Sequence, residues 1–357
     1  MKKALIAMSG GVDSSIAAYL TKQQCYECIG CTMKLYNNEN IGISRSRTCC
    51  SLDDVEDARS VSFKLGMPYY VFNFTDDFGE KVIRKFVQSY ESGITPNPCI
   101  DCNRYMKFDK LYERAKILGY DYVVTGHYAR IEYDGNRYVL KKAVDATKDQ
   151  SYVLYAMTQE QLAHTLFPLG QLTKKLVRQL AEKNGFVNAE KPDSQDICFV
   201  PNGDYTAFLE YYTGRKYPSG NFVTTNGTVL GKHKGIVRYT IGQHKGLGLS
   251  LPEAMYVKEI NTHDNTVILG KAQDLYSREA FAHDFNWISG EVPSDEVRCK
   301  VKVRYRQLEQ WATVIPVNET TVRIIFDEPQ RAITPGQAAV LYDGDIVLGG
   351  GTVGKKE

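Results

Sequence analysis

A glycine- and serine-rich segment near the N-terminus has the composition of a phosphate-binding loop. Residues 9–15 read SGGVDSS and follow a short apolar run, Ala4 to Met8. Two adjacent glycines allow a tight turn in which successive N–H groups face an anion, and the hydroxyl groups add donors. A helix that begins there directs the positive end of its dipole at the same anion. The segment predicts a nucleotide phosphate site, with Asp13 as a candidate magnesium ligand.

The loop contains no lysine, which separates it from the Walker type of phosphate loop. The nearest glycine–lysine string, residues 227–232, reads GTVLGK and is followed by His233. A Walker loop needs four residues between its glycines and then Lys-Ser or Lys-Thr, so this string fails on both counts.

Three cysteines lie in polar segments that are rich in turn-forming residues. Cys99 and Cys102 belong to residues 95–103, TPNPCIDCN, and Cys198 belongs to residues 192–199, PDSQDICF. The prolines and asparagines predict loops rather than regular helix or central strand. Loop thiols in a reducing compartment are kept for reactivity more often than for packing. One such thiol can carry a persulfide, and a second can cleave its S–S bond and leave a disulfide.

Short apolar segments alternate with amphipathic segments over the first half of the chain. The predicted strands are residues 3–8, 28–36, 69–74 and 121–125, and the predicted helices are residues 13–24, 52–65, 77–92 and 105–118. This alternation predicts an α/β fold with a doubly wound parallel sheet. Ligands of such sheets bind at the carboxyl ends of the strands, where residues 9–15, 33–36 and 126–127 are expected.

From about Tyr205 the pattern changes to short β-branched or aromatic runs separated by turn signals such as Asn226-Gly227. We therefore predict three domains. Residues 1–203 carry the loop and the three cysteines, residues 204–274 form a small β-rich central domain, and residues 275–357 form a β-barrel-like domain.

Composition excludes several classes of protein. The chain has 44 basic and 42 acidic residues, so any nucleic-acid surface must come from clustering of cations rather than from net charge. Nine cysteines, an odd number, without an export signal argue against a disulfide framework. No apolar run is long enough to span a membrane, and we expect a cytoplasmic protein.

A cluster of cations occurs in the predicted barrel. Residues 298–306 read RCKVKVRYR, with a basic residue at every second position. In a strand these five side chains, Arg298, Lys300, Lys302, Arg304 and Arg306, would share one face. Such a face suits the phosphates of RNA.

Eight motifs together resemble one enzyme family. SGGVDSS is similar to the PP-loop of the ATP pyrophosphatases, which cleave ATP to AMP and pyrophosphate and use the AMP to activate an oxygen of the acceptor. NPCIDCN, TGHYAR, KDQSY, DSQDICF, YTIGQHKGLG, VRYRQ and PGQAAVLYDGD follow it in order. In this order, over residues 8–351, the strings resemble the bacterial and organellar tRNA-specific 2-thiouridylases.

The resemblance implies a reaction and its residues. ATP would adenylate the 2-carbonyl of the wobble uridine in the tRNA anticodon stem-loop, and a persulfide on Cys198, with Cys102 as its partner, would give 2-thiouridine. A sulfur-carrier protein or cysteine desulfurase would supply the sulfur. The residues implied to bind ATP are Ala7, Met8, Ser9, Gly10, Gly11, Val12, Asp13, Ser14, Met33 and Gly126. Those implied to face tRNA are Asn97, His127, Lys148, Asp149, Gln150, Arg304, Tyr305 and Gln337.

Cys99 departs from the family pattern, in which an aspartate occupies this position. Cys99, Cys102 and Cys198 are therefore also candidate ligands of a [4Fe–4S] cluster with one open iron. A zinc site would lack an obvious fourth ligand. The persulfide route and the cluster route both stay open at this point.

The other cysteines and two aspartates have simpler interpretations. Cys28 and Cys31 lie on a predicted strand at an odd spacing, so they should point to opposite faces and pack in the core. Cys49 and Cys50 are weak redox candidates, and Asp101 and Asp193 are candidate proton carriers. Two rival functions remain: another PP-loop enzyme, such as a 4-thiouridine synthase or an amidating ligase, and a non-catalytic RNA-binding or iron–sulfur carrier protein.

Overall fold

The N-terminal part of the chain is built on a five-stranded parallel sheet. The computed structural model describes residues 1–37, 52–193 and 196–355, so the predicted pair Cys49-Cys50 lies outside the described residues. The strand order is β3-β2-β1-β4-β7. These strands are β1 (Lys3–Ala7), β2 (Glu27–Lys34), β3 (Tyr69–Asn73), β4 (Tyr122–Val124) and β7 (Thr165–Leu166). The predicted doubly wound parallel sheet is confirmed.

Helices cover both faces of this sheet. They are α1 (Val12–Gln23), α2 (Leu52–Lys64), α3 (Thr75–Phe78), α4 (Arg84–Glu91), α5 (Pro98–Asp101), α6 (Leu111–Ile117), α7 (Gln159–Ala163) and α8 (Lys174–Lys183). Leu5 packs into one apolar cluster, whereas its neighbours Ala4 and Ile6 pack into another on the opposite face. A strand buried on both faces must be apolar throughout, which is why residues 4–6 contain no polar side chain.

Two helical segments have a widened, π-type turn. Residues Gly79–Ile83 join α3 to α4, and Cys102–Lys110 join α5 to α6. The prediction that residues 95–103 contain no regular helix is wrong. Pro98 stands in the first turn of α5, where it has no hydrogen bond to lose, and the Asn97 Oδ1 accepts a hydrogen bond from the Cys99 N–H at 3.2 Å.

The central part contains one helix and a four-stranded sheet. Helix α9 (Tyr205–Thr213) precedes the strands β8 (Gly220–Thr224), β9 (Val229–His233), β10 (Tyr256–Asn261) and β11 (Thr266–Gly270). The order of the sheet is β10-β11-β8-β9, around a core that includes Phe222 and Val267.

The C-terminal part is a closed antiparallel barrel of six strands. These are β12 (Tyr276–Trp287), β13 (Val297–Lys302), β14 (Gln310–Asn318), β15 (Thr321–Arg331), β16 (Ala338–Asp343) and β17 (Ile346–Val353). Pairing of β12 with β17 closes the barrel. A hairpin from the N-terminal part, β5 (Ala129–Tyr133) and β6 (Tyr138–Lys142), extends this sheet through the pair Ile346 and Lys141.

The alternating cations do not form one strand face. Strand β13 ends at Lys302, so Arg298, Lys300 and Lys302 follow the strand alternation while Arg304 and Arg306 lie beyond it. Arg304 donates hydrogen bonds to the carbonyl oxygens of Ile241 and Ala332 and to the hydroxyl of Thr334. The expected five-cation face is therefore a three-cation face, because the chain turns where the pattern continues.

Among the described residues no helix is both long and apolar enough to traverse a bilayer.

Candidate active site

The SGGVDSS segment joins β1 to α1 at the carboxyl edge of the parallel sheet. Gly10 has a φ of +76°, and Gly11 is the extended residue before the helix. The hydroxyls of Ser14 and Ser15 both donate to the Gly11 carbonyl, at 2.9 and 3.1 Å. These two hydroxyls brace the loop itself, which leaves backbone N–H groups at the start of α1 as the natural donors for an anion.

Glycine is required at two positions of this cradle by close packing. A Cβ atom at Gly10 would stand 2.4 Å from the Asp54 carbonyl oxygen, in addition to the cost of its positive φ. A Cβ atom at Gly126, which follows β4, would stand 2.7 Å from the Asp13 carbonyl carbon. The predicted ATP residues of the loop and Gly126 are thus adjacent in space.

A lysine from helix α8 pairs with the aspartate of the loop. The Lys174 Nζ lies 2.7 and 2.8 Å from the two carboxylate oxygens of Asp13, and the Tyr128 hydroxyl donates to Asp13 Oδ1 at 2.8 Å. Burial and the Asp13 charge raise the pKa of Tyr128, so this hydroxyl keeps its proton. Asp13, the predicted magnesium ligand, therefore already carries an ion pair, although its side chain is 32% exposed.

The same lysine contacts the segment that leads to Cys198. Its Nζ lies 2.7 Å from Asp193 Oδ1, and Asp193 also pairs with Lys148 at 2.9 Å and with Arg178 at 3.1 Å. Burial alone would raise the pKa of Asp193, but hydrogen bonds from Lys174 and Lys148 hold that pKa below its usual range. Asp193 is therefore an anion that anchors three cations.

The three predicted cysteines occupy different local structures. Cys99 is exposed on α5, and Cys102 begins the widened helical segment. Cys198 stands in a turn whose Val200 N–H bonds to the Ile197 carbonyl at 2.9 Å. The Tyr36 hydroxyl, just beyond β2, donates to the Cys198 carbonyl oxygen at 2.7 Å. The sulfur-bearing turn is thereby tied to the carboxyl edge of the sheet.

Cys102 and Cys198 border one apolar cluster. Both thiol residues are partly buried and pack against the same core as Ala7 and Met33, which lie at the ends of β1 and β2. Next to Cys198, Phe199 is 1% exposed and makes edge-on contacts with Phe78, Phe86 and Phe208. Two of the predicted ATP residues, Ala7 and Met33, thus border the same cluster as the two predicted thiols, whereas Met8 and Val12 pack into the cluster on the opposite face of the sheet.

The cysteines do not form a metal site in this arrangement. Within residues 1–37, 52–193 and 196–355, no three His, Cys, Asp or Glu side chains are grouped so that they could hold a metal ion. Cys99, Cys102 and Cys198 therefore do not fit a [4Fe–4S] cluster or a zinc site here. No disulfide joins two of the described cysteines either.

Cys28 and Cys31 are core residues, as predicted, and Cys299 is a further cysteine buried in a core. Cys28 and Cys31 on β2 pack into the clusters on opposite faces of the sheet, and burial raises the pKa of Cys28 to about 11. Cys299 packs inside the barrel, where burial raises its pKa to about 12. High thiol pKa values make all of these poor nucleophiles at neutral pH.

Comparison with known proteins gives matches over nearly the whole chain. Three family models match in order: "tRNA methyl transferase HUP domain" over residues 2–202, "tRNA methyl transferase PRC-barrel domain" over 206–271 and "Aminomethyltransferase beta-barrel domain" over 277–353. The tRNA-specific 2-thiouridylase of Clostridioides difficile is 51% identical, covering 99% of this chain and 98% of the relative. That of Acetivibrio thermocellus is 50% identical, with 99% of each chain covered.

The chain belongs to the tRNA-specific 2-thiouridylases. It is an enzyme that thiolates tRNA and uses ATP through its PP-loop. The family models carry a methyl-transfer description, but the full-length relatives are named for sulfur transfer, and their identity is the more specific observation.

His127, which is predicted to face tRNA, is buried in this 2-thiouridylase. The residue is 7% exposed, with its Nδ1 2.7 Å from the Thr125 hydroxyl and its Nε2 3.4 Å from the Lys107 Nζ. Burial, and secondarily the Lys107 charge, hold the pKa of His127 well below its usual range. The ring is therefore neutral and fixes the Lys107 side chain.

Most residues that were predicted to face tRNA link elements of the fold. Asp149 accepts hydrogen bonds from the Ala143 and Ser151 N–H groups, and the Gln150 side chain accepts one from the Tyr128 N–H at 2.9 Å. The Tyr305 hydroxyl donates to the Asp149 carbonyl at 3.1 Å. These contacts join the barrel to the segment around Tyr128, and Tyr305 remains 40% exposed.

Gln337, also predicted to face tRNA, links the barrel to the cysteine segment. Its side-chain N–H donates to the Thr95 carbonyl at 2.9 Å, two residues before the N-cap Asn97. The adjacent Gly336 packs so closely that a Cβ atom would stand 2.2 Å from the Ile94 Cγ2. The barrel thus supports the start of the helix that carries Cys99 and leads to Cys102.

The two carboxylates proposed as proton carriers are both in ion pairs. Asp101 is 6% exposed and lies 2.6 Å from the Lys85 Nζ, and burial raises its pKa despite that partner. Asp193 holds the three cations described above. Both arrangements indicate anchoring of the neighbouring cysteine segments.

Sequence reasoning missed the residues that act at a distance along the chain. Lys174 and Tyr128 contact Asp13, and Asn188 donates to the Gly10 carbonyl and the Ser15 hydroxyl, each at 2.9 Å. Tyr128 lies inside the TGHYAR motif and could have been selected from it. Lys174 and Asn188 have no local signal, because their partners in the nucleotide loop are more than 150 residues away.

Proposed function

We propose that this enzyme converts the wobble uridine of a tRNA anticodon to 2-thiouridine through an adenylated intermediate and a Cys198 persulfide. The observation that carries the proposal is the packing of Cys102 and Cys198 against the same cluster as Ala7 and Met33. A thiol pair beside a lysine-free PP-loop suits activation of an oxygen followed by replacement with sulfur.

In the first step the uridine 2-oxygen attacks the α-phosphate of ATP. The new P–O bond forms as the bond to the pyrophosphate breaks, and the uridine oxygen becomes the bridging oxygen of an adenylate. The loop backbone and the start of α1 supply N–H donors for the phosphates. Magnesium, when bound with ATP, supplies positive charge to those phosphates, with Asp13 as its proposed protein ligand.

In the second step the terminal sulfur of the Cys198 persulfide attacks C2 of the activated uridine. AMP leaves with the original oxygen, and the sulfur remains bonded to both C2 and the Cys198 Sγ. The Cys102 thiolate then attacks the Cys198 Sγ, which breaks the S–S bond, releases 2-thiouridine and forms a Cys102–Cys198 disulfide. An external thiol reductant regenerates both thiols, and a sulfur-carrier protein or cysteine desulfurase recharges Cys198.

The uridine must leave the anticodon loop to reach this site. Bases of single-stranded loops are poorly stacked, so extruding one costs little. We propose that the barrel grips the tRNA through Arg298, Lys300 and Lys302. Trp311 on the paired strand is 50% exposed, with the Arg298 guanidinium and the Lys300 ammonium 5.2 and 5.3 Å from its ring centroid. We propose that the reaction takes place in the cytoplasm.

The test is the fate of ATP and of tRNA in a single reaction. With a sulfur donor, the wild type should release pyrophosphate and AMP and form 2-thiouridine at the wobble position, detected by mass spectrometry of nuclease fragments. Cys198→Ser should still release pyrophosphate but form no 2-thiouridine. Cys25→Ser, at an exposed thiol on the turn after α1, should match the wild type.

Other outcomes identify the rival functions. A 4-thiouridine product, or thiolation outside the anticodon, would assign the chain to a different PP-loop reaction. Absence of tRNA-dependent AMP formation, with tRNA binding retained, would indicate a non-catalytic carrier.

A further inference from the structure

Lys174 is a buried lysine whose ammonium is shared between the nucleotide loop and the segment before Cys198. Its side chain is 10% exposed, and its Nζ contacts both oxygens of Asp13 and one oxygen of Asp193. The backbone holds it firmly, because the Lys174 N–H donates to Asp145 Oδ2 at 2.9 Å and Thr173 caps the helix. Lys174 therefore begins α8 at a fixed position beside the cradle.

The charges around Lys174 indicate that it connects the carboxylates of Asp13 and Asp193, rather than only neutralising one of them. Asp193 keeps two other cations, Lys148 and Arg178, and so does not need Lys174 to remain ionised. Asp13 also accepts a hydrogen bond from the Tyr128 hydroxyl. Among the ion pairs of the described residues, Lys174 is the cation that touches both carboxylates. Burial of charged groups is costly unless they are paired, so Lys174, Asp13 and Asp193 favour staying in contact with one another.

This connection spans the two halves of the reaction. Asp13 belongs to the PP-loop, and Asp193 precedes Cys198 by five residues. On its other side the sulfur-bearing turn is held by the Tyr36 hydroxyl and by buried Phe199. The segment before Cys198 contacts the nucleotide loop at several points. Asn188 and Lys191 bond to the Gly10 carbonyl, and Lys174 joins Asp193, the described residue of these that is nearest to Cys198, to Asp13.

We infer that Lys174 is a positioning residue that couples adenylation to sulfur delivery by holding the Cys198 segment in register with the PP-loop. The inference rests on the proposed function. It differs from a role in ATP binding alone, because it requires the Asp193 contact as well as the Asp13 contact.

The test compares Lys174→Met with Arg130→Met. Arg130 is a matched control, since its 16% exposed side chain also bridges two carboxylates, Glu132 at 3.3 Å and Asp345 at 2.9 Å, on the hairpin that joins the barrel. The readout is the number of 2-thiouridines formed per pyrophosphate released under single turnover, because pyrophosphate leaves in the adenylation step and AMP leaves only when sulfur attacks. A misplaced sulfur should lower this ratio by about tenfold to a hundredfold in Lys174→Met. Arg130→Met should keep the wild-type ratio, because general destabilisation reduces both products together.

A second variant breaks the same connection without touching Asp13. Asp193→Asn should lower the ratio in the same way, and the double variant Lys174→Met, Asp193→Asn should be no worse than the more affected single variant. If Lys174→Met lowers pyrophosphate release and 2-thiouridine formation equally while Asp193→Asn changes neither, Lys174 serves the nucleotide loop alone and the coupling inference is overturned.

A further readout does not depend on activity. Alkylation of Cys198, followed by peptide mass spectrometry, should be faster in Lys174→Met and Asp193→Asn than in the wild type, while alkylation of Cys25 should be unchanged. An unaltered Cys198 rate in both variants would also count against the inference. Failure of the wild type to form AMP with tRNA would instead reject the proposed function, so the two failures are distinguishable.

Discussion

Gly126 packs directly against the backbone of Asp13, with room for no side chain: a Cβ atom at position 126 would stand 2.7 Å from the Asp13 carbonyl carbon and 2.8 Å from the Ser14 nitrogen. The end of β4 therefore sets the position of the start of α1. That contact links the TGHYAR motif to the PP-loop. Strand β4, which pairs with β1, therefore contributes to the shape of the nucleotide site.

Gly126→Ala should displace the start of α1 and raise the KM for ATP. A shift of about 1 Å in a reacting group can cost about a hundredfold in rate, so a loss of that order in kcat/KM for ATP is expected. The measurement is tRNA-dependent pyrophosphate release over a range of ATP concentrations. Gly79→Ala is the matched control, because no atom lies within 4 Å of the added methyl group. Equal kinetics in both variants would show that the close contact is not needed.

Asp13→Ala should abolish pyrophosphate release while leaving tRNA binding largely intact. The side chain stands in the phosphate loop and tRNA is proposed to bind on the barrel, so the two functions should separate. We expect a loss in kcat of about a hundredfold to a thousandfold, the usual scale for removing an electrostatic group from a phosphate site. Filter binding of labelled tRNA provides the comparison, and a parallel loss of tRNA affinity would contradict the assignment.

Cys99→Asp should retain 2-thiouridine formation within about twofold, because Cys99 is exposed on α5 and is not part of a metal-binding group in the described structure. The measurement is anaerobic and aerobic activity, together with an iron count and absorption spectrum of the wild type. A brown wild-type protein that loses both its chromophore and its activity on this substitution would establish the cluster route instead.

Lys300→Glu with Lys302→Glu should weaken tRNA binding without lowering the melting temperature. Both lysines lie on the outer side of β13, over the rings of Trp311 and Tyr342. Each phosphate contact that is lost should reduce the slope of log K against log salt by about 1, so a change of about 2 is expected. An unchanged slope would remove β13 from the tRNA interface.

Arg304→Met, on the same segment, should affect the stability of the fold rather than tRNA binding. Arg304 bonds to Ile241, Ala332 and Thr334 at the junction between the central part and the barrel, so its loss should destabilise the fold by about 2 kcal/mol. Thermal unfolding measures that cost. The salt slope for tRNA should stay close to the wild-type value.

His127 should make stability fall in mild acid. Its folded pKa lies well below 6.5, so below pH 6.5 the unfolded chain takes up a proton that the folded chain refuses. Stability is therefore present above pH 6.5 and is lost as the pH falls, by up to about 1.4 kcal/mol per pH unit until the folded pKa is reached. Denaturant unfolding between pH 7.5 and about 5 measures this slope. His127→Gln should flatten the slope, and an identical slope in that variant would contradict the buried neutral state.

The sequence alone determined the parallel sheet and the PP-loop, and it predicts which cysteines are reactive. Those features are encoded locally: the alternation in residues 3–125 reflects burial of each strand, and the glycine pair at Gly10 and Gly11 reflects one tight turn. The prediction for the segment containing Cys102 is wrong, because proline and asparagine occur at helix starts as well as in loops. In the structure both residues begin a helix.

Only the tertiary structure decided which groups meet. Asp13, Lys174 and Asp193 are distant along the chain, and their contact depends on how α8 packs against α1, which no local pattern specifies. No local pattern specifies the turn that removes Arg304 from the cationic face. Nor does one specify the hydrogen bonds that Gln337 and Tyr305 make with the N-terminal part. Periodicity reports which side of an element is buried, but the partner of a buried charge is set by the packing of the whole fold.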